Sequence, residues 1–190
     1  MAWAPGKPLR LATKNYVMRS MRPFQIDDYV FNWIMDRELT NYSGLPRFTS
    51  RQALEQWLKR FDNKHRFLLN ITCLETNRVI GLQKVEYYRN TESCKADVVI
   101  GDREYWGRNV VLETRHKILD FAYYRLRCHK VYGVVMARNV PAVFNYKALG
   151  FRCEGVLKDH DISMLGERCD ILMFGQLRSE WDEIREEIKI

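Results

Sequence analysis

The 190-residue chain has no run of about 18 apolar residues, so no segment reads as a membrane-spanning helix. Its opening, MAWAPGKPLRLATKN, lacks the apolar core of a secretory signal peptide. There is no CxxC pair. The five cysteines, Cys73, Cys94, Cys128, Cys153 and Cys169, are odd in number and widely spaced. That argues against a disulfide framework or a zinc ribbon, and no metal is expected. A reducing cytoplasm is the simplest setting. Cys94, Cys128 and Cys153 read as ordinary part-buried residues rather than nucleophiles, since free cysteine is among the most buried residue types. RGG, RNP and zinc-finger signatures are missing, and the charges are scattered. Nucleic acid is therefore not the expected partner. No repeat or low-complexity tract is evident.

What is present suits one folded domain over residues 1–190. The hydrophobic fraction of 46% supplies a core, and the charged fraction of 29% is ordinary. A net charge of +7 and a pI near 9.2 fit an anionic ligand or substrate.

Hydrophobic spacing sets out the elements. Residues 1–14 read as an extended lead-in. Tyr16 to Arg22 reads as a strand stopped by Pro23. Asp27 and Asp28 offer N-caps to a helix carrying Val30, Phe31, Trp33 and Ile34. Ser50 caps a second helix with Leu54, Trp57, Leu58 and Phe61 on one face. Strands follow at Arg66 to Leu74, Val79 to Tyr88 and Ala96 to Ile100, separated by polar turns. A long helix after Gly107 carries Val111, Ile118, Phe121 and Ala122 as its stripe, widened by Leu119 and Leu126. Lys130 to Met136 is the next strand, and Asn139 to Leu149 a short helix with Pro141 in its first turn. Phe151 to Leu157 and Cys169 to Leu177 close the sheet before a charged terminal helix. The order β-α-α-β-β-β-α-β-α-β-β-α gives a mixed α/β (α+β) fold around one largely antiparallel sheet of about seven strands, with two β-α-β crossovers in its second half.

The stretch from Val98 to Leu126 carries the clearest chemistry. It runs from strand through a glycine-marked turn into a helix, which leaves unpartnered N–H groups at a positive dipole end. Such a turn suits a phosphate or pyrophosphate.

IGDREYWG with its helix, followed by NVPAVFNYKALGF, resembles the GNAT superfamily of acyl-CoA-dependent N-acyltransferases. The tail, GFRCEGVLK through ERCDILMFGQLRSEW, looks like the RimJ/RimL-like branch. The resemblance spans roughly residues 16–181. It implies acetyl-CoA as co-substrate and a direct transfer in a ternary complex. The acceptor would be a primary amine on a protein N-terminus or on a small molecule such as an amino sugar or polyamine. A homodimer stays open.

The family's pyrophosphate loop, Gln/Arg-x-x-Gly-x-Gly/Ala, falls on Glu104, Tyr105, Trp106, Gly107, Arg108 and Asn109. The central glycine matches and the two ends do not. Glu104 brings negative charge beside an anion, which Arg108 could offset. By resemblance, Gly107 to Val110 hold the pyrophosphate through backbone N–H groups. Val98, Val99 and Ile100 form a splayed strand whose backbone pairs with the pantetheine arm. Core packing is the competing reading of these three residues.

The family pattern N-x-x-A-x-x-x-Y-x-x-x-G-F fits Asn139, Ala142, Tyr146, Gly150 and Phe151. The resemblance implies that Asn139 contacts the cofactor arm and that Tyr146 protonates the departing thiolate. For the general base, Lys95 stands where many relatives carry a carboxylate. Asp97, Glu86 or a water relay are the candidates. His160, between Asp159 and Asp161, would border the acceptor site. His116 and His129 read as surface or packing residues, and Glu154 and Asp170 as sheet-end structure. The departures at Glu104, Lys95 and Asn109 leave a second class open: an acyl-CoA-binding module without catalysis.

Overall fold

The computed structural model describes residues 3–21 and 26–188. Its centre is an eight-stranded sheet in the order β1-β2-β3-β4-β5-β6-β8-β7. The strands are β1 Arg10–Ala12, β2 Tyr16–Ser20, β3 Arg66–Cys73, β4 Val79–Tyr88, β5 Ser93–Ile100, β6 Lys130–Met136, β7 Arg152–Ile162 and β8 Arg168–Leu177. The helices are α1 Asp28–Met35, α2 Arg51–Leu58, α3 Val110–Asp120, α4 Val140–Ala148 and α5 Arg178–Ile184. Every strand pairing is antiparallel except β5 with β6.

The expected mixed, largely antiparallel sheet is the observed one, with one strand more. The lead-in contains β1, which pairs with β2 from Arg10↔Arg19 to Ala12↔Val17. Three residues are too few for alternation to register, so only the pairing reveals the strand. The expected end of the first strand at Arg22 and its stop at Pro23 lie outside the described residues. β5 begins at Ser93, and β7 runs through His160 to Ile162, so residues 159–161 belong to an exposed strand with a bulge rather than to a connecting turn.

Of the two crossovers, β5-α3-β6 joins parallel neighbours. In the second, β6 and β7 share a direction but β8 lies between them, antiparallel to both. Pairing with β8 gives β6 a second full ladder.

The core has two main parts. α3, α4 and α5 cover one face, where Phe67, Leu69, Ile118, Phe121, Phe174 and Trp181 are buried together. α1 and α2 cover the other face over β3 and β4, with Val30, Trp33, Leu54, Leu68 and Leu82. The caps expected at Asp27 and Ser50 form: each side chain accepts the N–H three residues on. In α3 the buried positions are Val110 and Leu112 rather than Val111, and they include Arg115. Cys94 and Cys128 are fully buried, with sulfurs 3.0 Å apart, whereas Cys153 is exposed and not part-buried.

Candidate active site

β5 and β6 pair only at Ser93↔Lys130, Cys94↔Val131 and Lys95↔Tyr132. Beyond Lys95 and Tyr132 the strands part, while β4 stays paired with β5 as far as Ile100 and β8 with β6 as far as Met136. A wedge therefore opens between Ala96–Ile100 and Gly133–Met136. Val98 and Ile100 pack toward the α3 cluster and Val99 toward the α1–α2 cluster. The packing and backbone roles are compatible, since alternate side chains go to opposite faces.

At the apex stands Tyr146, from α4. Its hydroxyl donates to the Ala96 carbonyl at 3.3 Å. Its ring stacks on Phe174 at 5.0 Å and meets Phe151 edge-on at 5.1 Å. Gly133 makes this placement sterically allowed, because a Cβ there would lie 1.9 Å from the Tyr146 hydroxyl. Burial pushes the Tyr146 pKa up; Arg115 opposes that shift and Asp97 adds to it. The group stays a protonated phenol at neutral pH.

The wide end of the wedge leads to the turn before α3. Gly107 has φ +75° and Asn109 φ +56°, so the chain takes two left-handed steps before the helix starts. Asparagine tolerates this region better than most residues, which accounts for Asn109 standing in place of a glycine. Its side chain does not cap the helix. The backbone N–H groups of Gly107, Asn109 and Val110 make no hydrogen bond to another described residue. A Cβ on Gly107 would meet open space.

The turn is braced from beneath. Tyr105 points inward, its hydroxyl 2.9 Å from Thr76 Oγ1, and Arg108 lies over its ring. Tyr16 Oη donates to the Arg108 carbonyl at 3.5 Å. Trp106 is half exposed, and its indole N–H donates to the Ile100 carbonyl. Glu104 is paired with Arg78 at 3.2 Å, and Arg78 also reaches Asp102 at 2.9 Å. Arg78, from the start of β4, and not Arg108, offsets the acidic residue. Asn139 caps α4 by accepting the Ala142 N–H and donates to the Tyr42 carbonyl, both at 3.2 Å.

The opposite face of β5 is charged. The register Lys84↔Asp97 and Glu86↔Lys95 puts four ionisable side chains on one face. Lys84 Nζ lies 3.0 Å from Asp97 Oδ2 and 3.4 Å from Glu86 Oε2, and Lys95 Nζ is 3.7 Å from the same Asp97 oxygen. Burial alone would lower Lys84, but the two carboxylates outweigh it and its pKa is raised. Tyr132, next to Lys95 across the strands, is pushed up to about 12 by burial, then by Tyr88, Glu86 and Asp97. It is therefore no base near neutral pH.

The 41–48 loop closes over this face. Gly44 backs onto Asp97, Tyr42 packs with Met136 and Ile171, and Arg47 donates to the Ser163 carbonyl at 2.7 Å. Around the starts of β5 and β6 lies a cavity of about 770 Å³, lined by Tyr88, Arg89, Lys130, Tyr132, Glu154 and Met173 among others.

Sequence reading alone passed over Gly133, Arg115, Lys84 and Arg78. Arg115 left a signal: it sits four residues after Val111 and three before Ile118, inside an apolar stripe. Lys84 left a weaker one, alternating with Glu86 on a strand. Gly133 and Arg78 left none, because their partners are distant in the chain.

Comparisons with known proteins bear on the fold and the family. The chain shares 25% identity over 178 residues with the uncharacterized N-acetyltransferase p20 of Bacillus licheniformis, covering 90% of this chain and 97% of the relative. The fold matches a ribosomal-protein-S5-alanine acetyltransferase from Vibrio fischeri with a TM-score of 0.77 at 15% identity, covering 91% of this chain and 98% of that one. It also matches a spermidine N-acetyltransferase from Vibrio cholerae, solved with CoA and spermine, with a TM-score of 0.76 at 21% identity over 88% and 98% of the two chains. The family model for the acetyltransferase (GNAT) domain matches residues 17–152, from β2 through the wedge and past Tyr146. A strand parting from its neighbour, an N–H-lined turn at its end and a tyrosine at the apex thus coincide with the family's own span, and the chain belongs to the GNAT acetyltransferase family.

Proposed function

We propose that this protein moves the acetyl group of acetyl-CoA directly to a primary amine, without an acyl-enzyme. The carrying observation is the Tyr146 hydroxyl at the point where β5 and β6 part. Acetyl-CoA would supply an acyl thioester. The N–H groups of Gly107 to Val110 would hold its pyrophosphate at the positive end of α3. The backbone of Val98, Val99 and Ile100 would align its arm in the wedge. The Ile100 carbonyl is already taken by Trp106, which leaves Val98 and Val99 the larger share. Asn139 would act mainly by placing α4 and the 41–48 loop, since both ends of its amide are engaged.

Tyr146 would give its proton to the leaving sulfur. Holding amine and thioester in a near-attack arrangement supplies most of the acceleration. Asp97 sits in the lysine pair and Glu86 at its edge. Taking a proton onto Asp97 would strand the largely buried Lys84 ammonium, which favours proton loss from the amine to water. Arg78, shared between Asp102 and Glu104, offsets part of the Glu104 charge, which weakens one argument for a module without catalysis.

The acceptor would approach from the charged face. The carboxylates there are each paired with a lysine: Asp97 and Glu86 with Lys84, Glu154 with Lys130. A polycation finds little free negative charge, so a protein N-terminus or an amino sugar fits better than a polyamine. The GFRCEGVLK tail and the fold likeness to the S5-alanine enzyme support the RimJ/RimL-like branch. Cysteines free of disulfides fit a cytoplasmic setting.

Calorimetry on Gly107→Val tests the location. A β-branched residue at φ +75° strains the turn and fills its open side. Acetyl-CoA affinity should fall by more than about tenfold, about 1.4 kcal/mol, with circular dichroism unchanged. Unchanged affinity would place the pyrophosphate elsewhere.

A further inference from the structure

Arg115 is only 3% exposed, on the side of α3 that faces α4. Its Nε and Nη1 are buried and make no hydrogen bond among the described residues. No carboxylate among the described residues forms an ion pair with it. A buried guanidinium without an anion is costly, and it stays charged because arginine does not deprotonate in proteins. An apolar residue would satisfy this stripe position without that cost. What Arg115 does touch is Tyr146: its Cζ lies 4.3 Å from the centre of the ring. A cation–π contact explains the closeness but leaves two donors idle.

We propose that Arg115 is a positioning residue whose guanidinium holds the negative charge left on Tyr146 when that hydroxyl gives its proton to the departing sulfur. The inference rests on the reading of Tyr146 as the proton donor. In the transfer, the amine nitrogen bonds to the thioester carbonyl carbon. The carbon–sulfur bond then breaks and its electron pair goes to sulfur. The phenol proton joins that sulfur, giving a neutral thiol and a phenolate. The phenolate regains a proton from solvent, which has received the one released by the amine. The wedge apex is otherwise a poor place for a phenolate. Phe174 and Phe151 pack on the ring, the Ala96 carbonyl faces the oxygen, and Asp97 adds negative charge from β5. Arg115 and Asp97 are the charged groups acting on Tyr146, with opposite signs. A fixed cation beside an apolar pocket stabilises the ion without solvent reorganisation.

The test needs no acceptor. A difluorotyrosine placed at position 146 starts from a lower phenol pKa than tyrosine, which counters part of the upward push of burial, and its fluorine resonance reports that one phenol. Arg115→Met should raise the midpoint by about one pH unit or more, as expected for loss of a close cation. Arg115→Lys should raise it by less than half as much. If the Met variant does not fold, Arg115→Gln against Arg115→Lys carries the same comparison. A midpoint that ignores the charge at position 115 overturns the proposal and leaves the arginine a packing residue. Adding acetyl-CoA to the same samples separates the two claims. If acetyl-CoA leaves the fluorine resonance unmoved, the placement of the thioester at Tyr146 fails, whatever Arg115 does.

Discussion

Two neighbouring residues of β5 face different chemical worlds. The Ala96 carbonyl meets the Tyr146 hydroxyl within an aromatic wall whose nearest cation is Arg115. The Asp97 side chain enters a network of two lysines and a second carboxylate on the other face. One side keeps a proton on oxygen by excluding water. The other keeps charges in place by pairing them. The Ala96 carbonyl points along the hydrogen-bonding direction of the sheet, toward the parted β6, while the Asp97 side chain stands on the charged face, so one strand borders both surroundings.

That comparison can be broken most severely on the apolar side. Tyr146→Phe keeps the ring and removes the proton, and kcat should fall by roughly 10²- to 10⁴-fold with acetyl-CoA affinity near normal. Equal turnover in the two proteins would reduce Tyr146 to packing. Gly133→Ala should act on the same group from outside. A methyl 1.9 Å from the hydroxyl must displace it, at a cost of about 1 to 3 kcal/mol in stability, as for overpacking elsewhere. Denaturant melts read the stability loss. Turnover should drop with it, and intact turnover would mean the hydroxyl has room to move.

The charged side should respond differently. Lys84→Met leaves Asp97 and Glu86 without their nearest cation, and stability near neutral pH should fall by about 1 to 3 kcal/mol, as for a buried polar group that loses its partner. Because the Lys84 pKa is raised, the loss should be full near neutral pH and shrink as the pH rises above the ordinary lysine range. A pH-independent loss would point to packing of the lysine stem instead. The smallest effect is expected from Asp97→Asn. If water takes the amine proton, the acidic limb of the kcat/KM profile keeps its midpoint in this variant and in Glu86→Gln. Disappearance of that limb in either one would identify a carboxylate base.

Much of this was legible before any coordinates. The strand–turn–helix around Gly107 and the spacing of Asn139, Ala142 and Tyr146 are local, and local patterns survive in a sequence. The helix caps at Asp27 and Ser50 are local in the same way. The features that left no trace in the sequence share the opposite property. β1 is three residues long and exists by pairing. Arg78 reaches Glu104 across 26 positions of chain, and Gly133 meets Tyr146 across a helix boundary. Asp97 was visible as a carboxylate, but its lysine clamp depends on the β4–β5 register, where a slip of one residue would send the side chain to the other face.

Apart from β1, the sequence by itself determined the order of elements and the fold class, and it marked the glycine turn and the tyrosine that follows it. Each depends on periodicity, capping or glycine placement within a few residues. Only the tertiary structure decided that Arg78 pairs with Asp102 and Glu104 beside the turn, that the wedge closes on Tyr146, and that Arg115 stands over its ring. Those outcomes depend on which distant side chains share a low-dielectric space. There, one unpaired charge or one added methyl outweighs any local preference.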